Sequence, residues 1–441
     1  MKRLLSLLLC VVLALFCAPT AQAAGVSITL TASEYALHYA FDAGAQDPFV
    51  ILEYTTPAEK GWMMLYSEDG HFEGDVSLAY SGAGGKTSVA LTSARTTGSI
   101  GKASTTLPKA ADYQKPTGKS NAKVTDFVLT ETPEGFHYAF NAAGTDYMLL
   151  YWRSKEQTVT QPVYPDENGH YEGDVISDLT FARTQFTVQV KSGSGSMKKE
   201  ATVRKGYQAP EAPQRQEGRL SGVTVCIDAG HQENGRFVNE PIGPGLSGST
   251  SGKGGMAQGT KTNRRESIVC LEIGMLLRDE LLRQGANVIM TREDQTTFHT
   301  NIERCEIAEA GGAQIMLRLH CNNSSNRSKR GIQVYGPLNS DYAKAVADAD
   351  TYREMGQKLL DAMKTRVGMT LANSTGMVRL NDNYVGNNWA KMMCFLVEMG
   401  YLSNPAEEYL LVTPVYQQWL AEGMVDGVYE IAVARGWVQA Q

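Results

Sequence analysis

Two histidines and two glutamates stand in settings that suit hydrolytic metal chemistry. His231 closes Val-Cys-Ile-Asp-Ala-Gly-His, Glu266 lies in Asn-Arg-Arg-Glu-Ser, His320 in Met-Leu-Arg-Leu-His-Cys-Asn and Glu398 in Phe-Leu-Val-Glu-Met-Gly. Zinc accepts imidazole nitrogen and carboxylate oxygen, and a catalytic site uses three protein ligands with a further place open to water. His231, Glu266 and His320 supply such a set. Glu398 then remains as the carboxylate that takes and returns a proton, while the metal acidifies its water and polarises a carbonyl. Taken singly, each residue has a blander use. A strand-end histidine is more often satisfied by a structural hydrogen bond, and a buried glutamate by a cation such as Arg264 or Arg265. Four such residues on one rim are hard to obtain from structural needs alone.

The rim is implied by the elements that must carry these residues. From Gly222 onward, strand and helix patterns alternate: Val223–Ile227, Asn287–Thr291, Gln314–Leu319, Gly331–Tyr335 and Met392–Val397 read as strands. Between them, Arg265–Arg283 carries a helical stripe through Ile268, Val269, Ile273, Leu276, Leu277 and Leu281 and is closed by Gly285. Ile302–Ala310, a long helix through Ala345, Tyr352, Met355 and Leu359, and a C-terminal helix complete the pattern. Such alternation predicts an α/β domain with a mainly parallel sheet flanked by helices, and these sheets bind ligands beyond the carboxyl ends of their strands. His231, His320 and Glu398 all follow strand ends, and Glu266 starts a helix at that same rim.

Ahead of this region lies an internal repeat. Leu37-His-Tyr-Ala-Phe-Asp-Ala43 returns as Phe136-His-Tyr-Ala-Phe-Asn-Ala142, and Gly70-His-Phe-Glu-Gly-Asp-Val76 as Gly169-His-Tyr-Glu-Gly-Asp-Val175, both 99 positions on (38 to 137, 71 to 170). Period-two runs and Asp-Gly or Asn-Gly turns predict two small all-β, sandwich-like modules. The copies end in Tyr113-Gln-Lys-Pro116 and Tyr207-Gln-Ala-Pro210, which open linker-like stretches. The expected layout is a signal peptide at 1–23, repeats at 24–114 and 115–206, a linker at 207–220 and a catalytic domain at 221–441.

Composition bounds the setting. At 441 residues the chain is too long for one ordinary core. Lys2 and Arg3, an apolar stretch from Leu4 to Phe16 and the small-residue signature Ala21-Gln22-Ala23 read as a signal peptide, and no later segment is long enough to span a bilayer. The expectation is therefore an exported protein, extracytoplasmic or wall-associated, with no transmembrane segment after cleavage. Loss of Lys2 and Arg3 takes the net charge from −6 to −8, which argues against nucleic acid as a partner held by net charge. Cys226, Cys270, Cys305, Cys321 and Cys394 remain, an odd number without framework spacing, and read as buried free thiols.

At these residues a family resemblance appears. Residues 222–437 resemble the zinc-dependent N-acetylmuramoyl-L-alanine amidases of the Amidase_3 type, which cut the bond between muramic acid and the stem peptide of peptidoglycan. The likeness rests on Asp228-Ala-Gly-His231, helix-initial Glu266, His320 with Asn322, and Val397-Glu-Met-Gly-Tyr-Leu-Ser-Asn404 followed by Glu407 and Glu408. It implies zinc on His231, Glu266 and His320 and a catalytic carboxylate at Glu398. Many members carry Ser where this chain has Arg318 and Ala where it has Cys321.

The resulting expectation is a wall hydrolase whose N-terminal repeats contact a wall polymer or protein. Two rivals stay open: a zinc peptidase cutting within the stem peptide, and a wall-binding or adhesive protein with an inactive amidase-like domain. The Gly/Ser-rich segment 236–263 is either a mobile flap or a flexible insertion. His38, His71, His137 and His170 read as structural, since no acidic or cysteine cluster stands at ligand spacing. Trp62, Tyr66, Trp152 and Tyr164 could stack on sugars but read chiefly as core. Asp382, Asn388 and Trp389 are placed in a loop along the substrate groove.

Overall fold

Two-residue alternation shapes several strands in the N-terminal region of the computed structural model. The residues described are 26–34, 36–45, 47–78, 83–94, 98–111, 122–132, 135–143, 145, 147–153, 157–176, 185–192, 196–204, 209–232, 238–250, 255–260, 262, 264–367 and 377–440. The expected signal peptide and the two expected module boundaries therefore lie outside them.

In the first module, β1 (Ile28–Ala32), β2 (Ala36–Asp42) and β5 (His71–Ser77) form one antiparallel sheet. In a second sheet, β3 (Phe49–Thr55) pairs with β4 (Glu59–Tyr66) and β6 (Gly85–Ser93), which pairs with β7 (Ser99–Leu107). On β2, Leu37, Tyr39 and Phe41 point inward, and they share one core with Val50, Leu52, Val89 and Leu91 of the other sheet. Gly74 is required by this packing, because a Cβ there would stand 2.7 Å from the Tyr39 hydroxyl.

The second module repeats the plan. Its three-stranded sheet is β8 (Val124–Thr132), β9 (Gly135–Ala142) and β12 (His170–Ile176). β10 (Met148–Arg153) pairs with β13 (Gln185–Lys191), which pairs with β14 (Met197–Arg204); β11 spans Gln157–Val163. The repeated aromatics occupy equivalent places: Phe41 stacks on Phe72 at 4.9 Å, and Phe140 on Tyr171 at 4.6 Å. Gly173 again faces a tyrosine hydroxyl, that of Tyr138, at 2.7 Å from where a Cβ would be. Trp152 is fully buried between Phe136 and Phe186, whereas Tyr66 and Tyr164 are exposed.

Of the segment expected as a linker, Gln216 and Leu220 donate to the carbonyls of Leu282 and Gln284, and Leu220 is buried. The elements that follow are β15 (Thr224–Ala229), α1 (Glu266–Arg283), β16 (Asn287–Met290), α2 (Asn301–Ala310), β17 (Ile315–Asn322), β18 (Gln333–Gly336), α3 (Asp341–Val346), α4 (Ala349–Val367), β19 (Met377–Leu380), α5 (Val385–Trp389), β20 (Met393–Tyr401), α6 (Glu407–Leu411) and α7 (Pro414–Ala434).

The sheet order is β16-β15-β17-β20-β18-β19. It is mixed: β18 runs antiparallel to β20, and the other pairings are parallel. The segment 323–332 between β17 and β18 is shorter than the roughly dozen residues that a parallel crossover needs, so β18 returns in the opposite sense. Alternate strand residues serve opposite faces. Cys226, Met316 and Cys394 pack with Cys305 and Ala308 of α2, while Ile227 and Leu319 face Gly274 of α1, and Phe395 meets Tyr352 of α4 edge-on. Among the described residues the five cysteines are buried and free.

Candidate metal and catalytic site

Parallel register brings the expected residues together. β15 lies beside β17 and β17 beside β20, with His320 directly opposite Glu398. His231 follows β15 after Gly230, and Glu266 is the first residue of α1. Its backbone N–H donates to Ala257 O at 2.9 Å and its Oε2 accepts from Ala257 N at 2.7 Å, which fixes the carboxylate from the loop side.

The Glu266 carboxylate sits between two imidazoles, with Oε2 3.1 Å from His231 Nε2 and Oε1 2.9 Å from His320 Nδ1. The two rings meet edge to face at 4.8 Å between centroids. Among the described residues this is the group of histidine and acidic side chains whose candidate ligand atoms all lie within 4.8 Å of one another. Three donors converging from three separate elements, one of them anionic, fit a small divalent ion.

Burial and charge set the acid–base character. Burial alone would raise the Glu266 pKa, but hydrogen bonds and electrostatic attraction from His231 and His320 hold it well below the usual carboxylate range. Burial lowers the His320 pKa and so favours the neutral, ligand-competent imidazole. Glu398 is the opposite case, pushed up to about 8 by burial and by the nearby negative charge of Glu266. Its Oε2 is shut off from solvent and accepts no hydrogen bond among the described residues. A half-buried carboxylate with one buried, unbonded oxygen beside a metal-type donor set is suited to carrying a proton.

A third layer lies under the ligands. Asp228, fully buried, accepts from Arg318 Nε at 2.9 Å and Thr291 Oγ1 at 2.8 Å and is bonded to Arg304 Nη1. Burial opposes its charge, but Arg304 and Arg318 outweigh that and hold its pKa far below the usual range. The sequence reading missed the roles of Arg292 and Arg304. One signal was available for Arg318, which stands two residues before His320 and therefore on the same face of β17. Also unforeseen are the tyrosines around the base: burial first, then the charge of Glu398, raises the pKa of Tyr335, while Tyr384 packs against Tyr335 at 5.1 Å.

The polar residues expected along the groove make bonds of their own within the domain. Asp382 accepts from Leu338 N, Asn339 N and Asn339 Nδ2, Asn388 donates to the carbonyls of Ile242 and Asp382, and Trp389 donates to Pro241 O. These contacts are internal to the fold. The described part of the Gly/Ser-rich segment is likewise tied down: Glu240 accepts from Asn301 N and Ile302 N at the start of α2, and Pro241 bridges to Ser249.

A His–Glu–His group that could hold a metal ion lies beside Glu398 on one rim of an α/β sheet. Residues 225–430 match the family model of the N-acetylmuramoyl-L-alanine amidases, Amidase_3, and this domain belongs to that family. The chain is 26% identical over 231 residues to the germination-specific N-acetylmuramoyl-L-alanine amidase of Bacillus subtilis (strain 168), covering 49% of this chain and 83% of that protein. It is 27% identical over 218 residues to the probable cell wall amidase LytH of Staphylococcus aureus, covering 48% of this chain and 60% of that protein. Among solved structures, the apo form of the N-acetylmuramyl-L-alanine amidase Ami1 from Mycobacterium abscessus is 20% identical, with a TM-score of 0.43 over 48% of this chain and 99% of that one.

Proposed function

We propose that this chain is an exported peptidoglycan hydrolase that cleaves the amide bond between N-acetylmuramic acid and the L-alanine of the stem peptide with zinc-activated water. The observation that carries the reading is the meeting of His231, Glu266 and His320 beside Glu398, within a domain of the amidase family. In this reading residues 24–114 and 115–206 are sandwich-like modules that place the enzyme on a wall polymer or protein, 207–220 is the linker and 221–441 the catalytic domain. The protein acts outside the cytoplasm or at the wall.

His231, Glu266 and His320 would hold the zinc. When bound, the metal supplies Lewis acidity toward the scissile carbonyl and makes water more acidic. Glu266 stays ionised and contributes the negative charge that a dication requires. His320 presents a neutral ring. Glu398 accepts the proton that water releases as it adds to the carbonyl, then returns it to the departing nitrogen of L-alanine. Burial, with the charge of Glu266, raises its pKa above the usual carboxylate range, so it holds a proton more readily than an exposed glutamate does.

Zinc quantification on the purified chain, combined with mass spectrometry of digested muropeptides, tests this. The expected result is one zinc per chain and release of intact stem peptides with a free L-alanine amino terminus. New termini inside the stem would make the enzyme a peptidase. Bound zinc without any cleavage would make the domain an inactive binding module.

A further inference from the structure

Three consecutive carbonyls of the loop that carries His231 are gripped by two buried guanidinium groups. Arg292 donates from Nε to Ala229 O at 2.8 Å and from Nη2 to Gly230 O at 2.9 Å. Arg304 donates from Nη1 to Ala229 O at 3.0 Å and from Nη2 to His231 O at 3.2 Å, and its Nη2 also bonds Gln232. The loop needs holding, because His231 has φ of 58°, the left-handed region that a residue with a Cβ avoids. It also has little room. A Cβ on Gly230 would stand 2.6 Å from His320 Cε1, so the loop rests directly on the second imidazole.

The same cations reach the other two metal-binding segments. Arg292 Nη2 donates to Ser267 O at 2.7 Å, in the first turn of α1 next to Glu266. Asp228, which anchors Arg304, is shared with Arg318, two residues before His320 on the same strand face. Arg318 is fixed in turn by Asn301, whose Oδ1 accepts from its Nη2 at 2.6 Å, and Gly386 leaves it space that a Cβ would fill. Arg292, Arg304 and Arg318 are all buried.

We infer that Arg292 and Arg304, organised with Arg318 around Asp228, are positioning residues that hold His231 in its strained conformation and so set the affinity of the metal centre. This rests on the zinc reading above. The physical reason is entropic and steric. Without the guanidinium donors, the freed loop would relax toward ordinary φ values, and His231 would leave the direction shared with Glu266 and His320. Groups behind metal ligands commonly change metal affinity roughly 10–100-fold when mutated.

The test is a double-mutant cycle read by zinc affinity in a competition titration, with the visible spectrum of the cobalt-substituted protein as a second signal. Arg304→Lys keeps a cation beside Asp228 but cannot span both carbonyls. It is expected to weaken zinc binding by roughly 10–100-fold and to alter the cobalt spectrum, while the metal-free melting transition stays cooperative. In a His231→Ala background the same change should weaken binding less than about twofold, since the effect passes through His231. Equal losses in both backgrounds, or no loss in the native one, overturn the inference. If metal-free Arg304→Lys does not fold, Arg292→Lys runs the same cycle through the Gly230 carbonyl. Failure here is separable from failure of the functional reading. A wild-type chain that binds zinc but releases no stem peptide sinks the amidase proposal alone, whereas an insensitive Arg304→Lys in an active amidase sinks only the cradle.

Discussion

The rim of the C-terminal sheet and the outer face of the first module each place a glutamate between two imidazoles, yet they are built for different ends. Glu266 lies 3.1 and 2.9 Å from His231 and His320, and Glu73 lies 3.3 and 3.6 Å from His38 and His71. At the rim the three groups come from three elements and converge in a buried spot, where the Glu266 side chain is 4% exposed. On the module they come from two paired strands. The register sets His38 opposite Asp75 and His71 opposite Asp42, so the two histidines start about 13 Å apart along the strands. They reach Glu73 from opposite ends of a ladder whose central carboxylate is 59% exposed. The second copy repeats it with His137, Glu172 and His170. Proximity of the right residue types is therefore not enough. Convergence from separate elements, in a buried spot, is what sets the rim group apart from the exposed ladder.

The sharpest way to break that comparison is to remove the base. Glu398→Gln preserves shape and hydrogen-bonding size but cannot carry a proton, and it is expected to cut turnover by roughly 10²–10⁴-fold with zinc still bound. Peptidoglycan digestion and metal content measured on the same sample check it, and substantial activity would reject the role given to Glu398. Next in size is the metal itself. His320→Ala should lose zinc to below one equivalent after dialysis, whereas Glu73→Ala should keep the wild-type content. Zinc lost from the module variant would show that the exposed ladder, too, is a metal centre.

A third contrast concerns acidic partners of cations. Asp228 is enclosed between Arg304 and Arg318, while Asp75 is 67% exposed beside His38. Removing one partner of a buried ionic cluster leaves uncompensated charge, so Asp228→Ala should lower unfolding free energy by roughly 3–5 kcal/mol in urea titrations. Asp75→Ala should be hard to separate from wild type. Because Arg304 and Arg318 depress the Asp228 pKa, the stability its charge supplies is complete above the unfolded carboxyl range and is lost as pH falls through the folded value.

How much of this was legible beforehand differs by residue. His231, His320 and Glu398 announced themselves because each ends an apolar run, and a parallel sheet carries such ends to one side. The helix of Glu266 could be read from its stripe to within a residue of its start. The reversed β18 and the short β19 were less visible, since direction depends on connection geometry and β19 offers only four residues. The arginine layer was hidden for another reason: Arg304 meets Asp228 across 76 positions, and nothing local in Asn-Ile-Glu-Arg marks that partnership. The bonds of Asp382 to Asn339, of Asn388 to Ile242 and of Trp389 to Pro241 join segments far apart in sequence and leave no local mark in it. In the repeats, the matched Glu-Gly-Asp is explained by parity. Glutamate and aspartate face outward to the histidines, and glycine faces inward under a tyrosine ring.

The smallest expected effect lies in that ladder. The hydrogen bond that His71 Nδ1 donates to Asp42 at 2.7 Å, with the charges of Asp42 and Glu73, raises the His71 pKa above its ordinary value, against a weaker opposing effect of desolvation. The second copy has Asn141 where the first has Asp42, at the same 2.7 Å from His170 Nδ1. Asp42→Asn therefore imposes the second copy's chemistry on the first. It should move the His71 titration midpoint down, as followed by NMR of histidine-labelled protein, and leave zinc content unchanged. The sign follows from linkage. A raised folded-state pKa means that His71 contributes stability fully below its unfolded value, and that this contribution disappears as pH rises through the folded one. An unmoved midpoint would mean that Glu73, rather than Asp42, sets the charge of this imidazole, and Glu73→Gln would then be the variant that shifts it.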